Sequence, residues 1–143
     1  MVVSPDYEKM LEITTCFFNA QFDRERSLER LFQTLSSTFK IVSTGIAFVM
    51  DLQGYLQMMQ EKHYENIVEV IDFLSKSQHF PGKEPGTILW KIDTLQHRLG
   101  KGFHEEGEGL YKISAECTFH FAQENHMWKI AHLLQANYLK EKI

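Results

Sequence analysis

The sequence predicts an α+β fold, and three observations lead to it. Apolar residues recur with helical spacing only before His63, long alternating or β-branched stretches dominate after it, and the last two stretches join through a short polar turn. Helices first and long antiparallel strands last is the order that segregated α+β folds show.

The first helix is expected over residues 4–22. Ser4 suits an N-cap, Pro5 the first helical position, and Asp6 and Glu8 the positive end of the helix dipole. Tyr7, Met10, Leu11, Phe17, Phe18 and Phe22 make its apolar stripe. A second, short helix begins near Ser27, carries Leu28, Leu31, Phe32 and Leu35 on one side, and ends in the polar run Ser36, Ser37 and Thr38. Phe39 to Val42 reads as a strand start, Ser43-Thr44-Gly45 as a turn, and Ile46 to Val49 as a returning strand. Asp51 then caps a third helix with Leu52, Tyr55, Leu56 and Met59 on its apolar face. Ile67 to Leu74 and Thr87 to Leu99 are strand candidates, separated by a loop marked by Pro81-Gly82 and Pro85-Gly86. Leu110 to Gln123 and Trp128 to Leu139 complete the set.

Glu124 to Met127 is the natural turn of the final hairpin. Pairing Gln123 with Trp128 puts Phe121 opposite Ile130, Phe119 opposite His132 and Cys117 opposite Leu134. One face then gathers Tyr111, Ile113, Ala115, Cys117, Phe119 and Phe121 with Ile130, His132, Leu134, Ala136 and Tyr138. The other holds Lys112, Ser114, Glu116, Thr118 and His120 with Lys129, Ala131, Leu133, Gln135 and Asn137. A turn centred near His104 adds Ile88, Trp90, Ile92, Thr94 and Gln96 to the apolar face, and Lys91, Asp93 and His97 to the polar one. The helices are expected to cover the apolar face. The mixed face, with Ala131 and Leu133, is either solvated or a modest subunit interface.

Composition narrows the function classes. The 143 residues suit a single domain over 1–143, and 43% hydrophobic with 24% charged residues is ordinary for a globular protein. Fifteen basic against 19 acidic residues, with no basic run, disfavours a nucleic-acid partner. No apolar run reaches the ~18 residues of a membrane span, and the N-terminus lacks the pattern of a signal peptide. Two cysteines, Cys16 and Cys117, are too few for a disulfide scaffold or a cysteine zinc site. These features together predict a cytoplasmic protein with neither membrane nor nucleic-acid partner.

The element order, the passage from Leu31 to Met59, and the closing segment Met127-Trp128-Lys129-Ile130-Ala131-His132-Leu133 resemble the nuclear-transport-factor-2-like superfamily, especially its SnoaL-like branch. That resemblance implies a curved, mostly antiparallel sheet wrapped around a long N-terminal helix into a cone, with two further short helices and a pocket at the open end. It also implies homodimerisation through the outer sheet face, here Ala131 and Leu133. Its members include isomerases, cyclases, dehydratases and non-catalytic interaction domains, so fold alone does not decide function.

Candidate chemistry centres on His132, expected on the apolar face. A buried imidazole there is either a general acid or base or a core histidine bonded to its neighbours. Glu116 and Asp93 fall on the outer face, which leaves Asp72 and Glu69, on opposite faces of one strand so that at most one points inward; Asp72 is taken as the acid partner should the protein be an enzyme. Tyr55, Trp90, Tyr111, Phe119 and Tyr138 suit either pocket walls or ordinary core. His104, Glu105, Glu106 and Glu108 lack a metalloprotease pattern, and Gly100-Lys101-Gly102 lacks phosphate-loop spacing, so neither metal nor cofactor is expected. His120 and His132 are expected on opposite faces and so unable to converge. Two functions follow: binding a small, largely apolar molecule in the cone, with or without cofactor-free proton-transfer chemistry, or a non-catalytic interaction module whose cone is filled by side chains.

Overall fold

Asp6 starts the first helix. Its Oδ1 accepts a hydrogen bond from the Lys9 amide at 2.8 Å, and its carbonyl accepts one from Met10 at 3.0 Å. In the computed structural model, which describes residues 4–22, 28–44, 48–65, 68–70, 76–98 and 109–143, α1 is Tyr7–Phe22. The cap is therefore Asp6 rather than Ser4, and a carboxylate there also meets the positive end of the helix dipole. Met10, Ile13, Phe17, Phe18 and Ala20 form the buried face of α1, while Cys16 is exposed.

The second helix, α2 (Leu28–Thr34), has only two turns and buries Leu31 and Thr34. Phe32, expected on the apolar side, is 53% exposed, because so short a helix turns only one row inward. Leu35, also expected there, opens a strand instead, β1 (Leu35–Ser43). Ser36, Ser37 and Thr38 belong to that strand rather than to a helix end. The Glu124 carboxylate satisfies the two serines, accepting from the Ser37 amide at 3.0 Å, the Ser37 hydroxyl at 2.8 Å and the Ser36 hydroxyl at 3.1 Å, while the Ser36 hydroxyl oxygen accepts from the Thr38 amide at 3.2 Å.

β2 (Phe48–Asp51) runs antiparallel to β1. The Asp51 Oδ1 accepts from the Gly54 amide at 2.9 Å and caps α3 (Leu52–Glu65), as its sequence position predicts. Tyr55 and Met59 are the buried anchors of α3. β3 (Val68–Val70) and β4 (Gln78–Pro81) then share one edge of β5 (Thr87–Arg98), the first against residues 96–98 and the second against 88–91. β4 falls where Pro81 and Gly82 suggest a loop. Pro81 is tolerated because it ends an edge strand, where a missing amide costs no ladder bond.

β6 (Gly109–Glu124) and β7 (Met127–Lys142) form the long hairpin. Their turn residues Asn125 and His126 have φ of 50° and 65°, the doubly left-handed form whose twist matches paired strands. The sheet order is β2-β1-β7-β6-β5-β3, with β4 also on β5, giving seven strands among the described residues. β1 and β7 are parallel, and every other described pairing is antiparallel.

Two bulges in β7 correct the expected register. Gln123↔Trp128 and Phe121↔Ile130 hold as predicted, but the next pair is His120↔His132 rather than Phe119↔His132. Ala131 is the extra residue, so the faces of His132 to Ala136 are reversed. Leu133 therefore pairs with Phe119 and is only 4% exposed, buried in the core rather than on the outer face. A second bulge lies near Asn137, whose φ is 54°. On β5 and β6 the expected faces hold, with Ile88, Trp90, Ile92, Thr94, Gln96, Tyr111, Ile113, Ala115, Cys117 and Phe119 all buried.

Candidate functional site

The inner face of the sheet is filled by aromatic side chains meeting from five elements, α1, α3, β1, β5 and β6. Phe17 of α1 stacks on Tyr55 of α3 at 6.0 Å between ring centroids and meets Phe119 edge-on at 5.7 Å. Phe18 lies 5.3 Å from Trp90 and 5.6 Å from Phe119, and Phe39 lies 5.4 Å from Tyr55. These separations are those of favourable offset and edge-to-face pairs. The Trp90 Nε1–H donates to the Thr14 hydroxyl at 2.8 Å, which donates in turn to the Met10 carbonyl at 2.8 Å. Tyr55, Trp90 and Phe119, expected as pocket walls or core, thus pack directly against α1.

Burial governs the chemistry of this interior. The Tyr55 hydroxyl is buried with no hydrogen-bond partner among the described residues. Burial, and then nearby Cys117, pushes its pKa well above the ordinary phenol value. The Cys117 thiol is pushed up to about 12 by burial, so it stays protonated and is no nucleophile. Further along the same face Gln96 pairs with Tyr111 and Thr94 with Ile113, so three buried polar side chains, Thr94, Gln96 and Tyr111, lie close together. At the opposite rim the Tyr7 hydroxyl hydrogen-bonds His79 Nδ1, and the His79 ring lies 5.0 Å from Trp90.

His132 lies elsewhere. The Ala131 bulge turns it onto the outer face, where its ring centroid is 5.3 Å from that of His120. The two histidines do converge, against the expectation from strict alternation. Partial burial, then His120 and Lys40, hold the His132 pKa below the usual imidazole value. His120 Nε2 is 3.6 Å from the Glu84 carboxylate. Tyr138, expected on the apolar face as pocket wall or core, is 37% exposed next to the second bulge. Asp72 and the residues from His104 to Glu108 lie outside the described residues. Among the described residues no group of three or more His, Cys, Asp or Glu could hold a metal ion. No helix among them is long and apolar enough to cross a membrane.

The outer face carries a row that alternation alone misses. Val49 pairs with Val42, Val42 with Leu134, Leu134 with Thr118, Thr118 with Leu89, and Leu89 with Phe80. One line thus crosses β2, β1, β7, β6, β5 and β4, apolar at every position but Thr118. Val49 and Phe80 at its ends are 69% and 39% exposed. The sequence signal was the doublet Leu133-Leu134 three residues beyond Ile130, a break in period two that marks a bulge. Beside the row, Asp93, Lys112, Ser114, Leu139 and Glu141 line a groove of about 200 Å³.

No sequence-family profile matches this chain, and no curated protein matches it by sequence. Solved structures do. A protein from Pseudomonas putida assigned as a polyketide cyclase superposes with a TM-score of 0.61 at 11% identity, covering 87% of each chain. A protein from Exiguobacterium sibiricum assigned as a calcium/calmodulin-dependent kinase II association domain superposes at 0.56 and 17% identity, over 99% of this chain and 100% of that one. A nuclear-transport-factor-2-like protein of unknown function from Prochlorococcus superposes at 0.59 and 12% identity, over 96% of both. The element order, the mixed sheet closed over α1 and these three superpositions agree: the chain has the nuclear-transport-factor-2-like fold of the SnoaL-like type.

Proposed function

We propose that this chain is a self-associating interaction module that docks a second copy of itself on the outer face of its sheet. The observation that carries the reading is the apolar row from Val49 through Val42, Leu134 and Leu89 to Phe80. At about 3.3 Å per residue and 4.8 Å per strand, the six strands it crosses cover roughly 1,000 Å². A standard interface buries about 800 Å² per partner, so the face is large enough for a stable dimer. The surface around the row mixes Lys40, Lys91 and Lys112 with Asp51, Asp93 and Glu116, so two copies meeting face to face can set opposite charges together. The aromatic filling of the inner face and the likeness to an assigned association domain support the same reading. Leu134, rather than the expected Leu133, is the central residue of this surface.

The test is sedimentation equilibrium of the wild type and of Leu134→Glu. The wild type is expected at twice the 16.8 kDa chain mass and the variant at the chain mass. A wild type that stays monomeric at ~100 μM, weaker than ordinary specific complexes, overturns the reading.

A second reading is favoured by Thr94, Gln96 and Tyr111, buried side by side on the inner face. Polar groups in an apolar wall orient small ligands, and the expected small, largely apolar molecule would sit against them. The inward side chains described on β5 and β6 include no Asp, Glu or His, which supports binding without proton-transfer chemistry. A thermal-shift screen with small ketones and carboxylic acids, repeated on Gln96→Leu, tests this reading. A ligand raising Tm only in the wild type supports it, and no shift from any compound counts against it.

A further inference from the structure

Beside the apolar row runs a second row of different chemistry. Lys40 on β1 pairs with His132 on β7, and His132 pairs with His120 on β6. Asp51 on β2 lies opposite Lys40 at one end, and Thr87 on β5 lies opposite His120 at the other. These residues share the outer face with Val42, Leu134 and Thr118, two positions along each strand, so a partner covering the apolar row also covers the imidazoles.

The carboxylates sit at the ends of this row rather than at its centre. Glu84, from the loop before β5, reaches His120 Nε2 at 3.6 Å, and Asp51 faces Lys40. His132 lies between Lys40 and His120, with its ring 5.3 Å from that of His120. On its own strand the nearest charged neighbour on this face is Lys129, which pairs with Ala122. A proton on His132 therefore meets positive or potentially positive groups from β1, β6 and β7, and among the described residues no carboxylate is paired with it across the sheet.

We propose that self-association is gated by the charge on His132, whose imidazole must be neutral for two sheet faces to close on each other. The inference rests on the self-association proposed above. Covering the imidazole removes water from it and lowers its pKa below that of the free chain, which is already held below the usual imidazole value. Association then releases protons at any pH where the free chain's His132 is charged. The dissociation constant rises as pH falls through that range, by up to about a hundredfold per pH unit for two protons per dimer.

Sedimentation velocity on the full chain and on His132→Asn at pH 7.5 and pH 5.5, with circular dichroism confirming the fold at each pH, tests this gate. The wild-type dissociation constant is expected to rise at the lower pH, and that of His132→Asn to rise by less than the wild type's. A wild-type dimer with an unchanged constant, or a variant that keeps the full response, overturns the gate while leaving self-association intact. A wild type monomeric at both pH values overturns both. Independently of any variant, the His132 ring protons followed by NMR are expected to titrate at lower pH in a concentrated sample than in a dilute one. Equal titration in the two samples sinks the proposal.

Discussion

The two faces of the sheet are built from the same strands but solve different problems. On the inner face Phe119 and Trp90 pack against Phe17 and Phe18 of α1, and Ile130 is fully buried in the same core. On the outer face Leu134, Val42 and Leu89 are only half-buried by their cross-strand neighbours, and Val49 stands open. The difference teaches that burial, not hydrophobicity, assigns the work of a residue. Leu133 and Leu134 are chemically identical neighbours, yet one belongs to the core and the other to the surface.

Substitution of matched residues on the two faces breaks the comparison most directly. Phe119→Ala removes a fully buried ring packed against Phe17 and Phe18 and is expected to cost about 3–5 kcal/mol in urea denaturation. Leu134→Ala, measured on dilute monomer, is expected to cost less than about 1 kcal/mol while weakening self-association. A Leu134 variant as destabilised as Phe119→Ala would show that the outer row is core.

The polar tether of the inner face gives a smaller effect. Trp90→Phe keeps the aromatic contact but removes the bond to Thr14, whose hydroxyl retains the Met10 carbonyl. A loss of about 1–2 kcal/mol in the same denaturation experiment is expected. In the hairpin that joins the faces, His126→Gly relieves a left-handed residue at φ 65° and is expected to stabilise by about 0.5–1 kcal/mol, read as a higher Tm.

The smallest effect concerns acid. The Glu124 carboxylate is held below its ordinary pKa, first by the Ser37 amide, then by the Ser37 hydroxyl. A depressed folded-state pKa means that this contribution is present above the unfolded value and is lost as pH falls through the folded one. Denaturation midpoints of the wild type are therefore expected to fall as Glu124 protonates, and Glu124→Gln to flatten that part of the profile. An unchanged profile would mean that the Glu124 clamp on β1 does not couple to stability.

Much of the fold was legible because its signals are local. The Asp51 cap, the Asn125-His126 turn and the alternation of β5 and β6 need only neighbouring residues to be read, and each stands where the sequence places it. β4 was not legible, because Pro81 reads as a breaker until β5 supplies an edge whose ladder does not need its amide. The candidate site was less legible than the fold. Placing His132 inward assumed strict alternation along β7, and one extra residue at Ala131 reversed every face from His132 to Ala136.

The sequence by itself determined where α1 and α3 lie, that β5, β6 and β7 are extended, where the long hairpin turns, and which side of β5 and β6 is apolar, because periodicity and turn chemistry act within a few residues. Only the tertiary structure decided that Leu133 is core, that Leu134 completes an exposed row, and that His120 and His132 stand side by side. Those outcomes depend on β7 pairing with β6 on one edge and, in parallel, with β1 on the other. β1 and β7 are far apart in the chain, and their registers around β7 are reconciled with β6 by bulges in β7, so the facing of its side chains follows from neighbours that its own pattern does not contain.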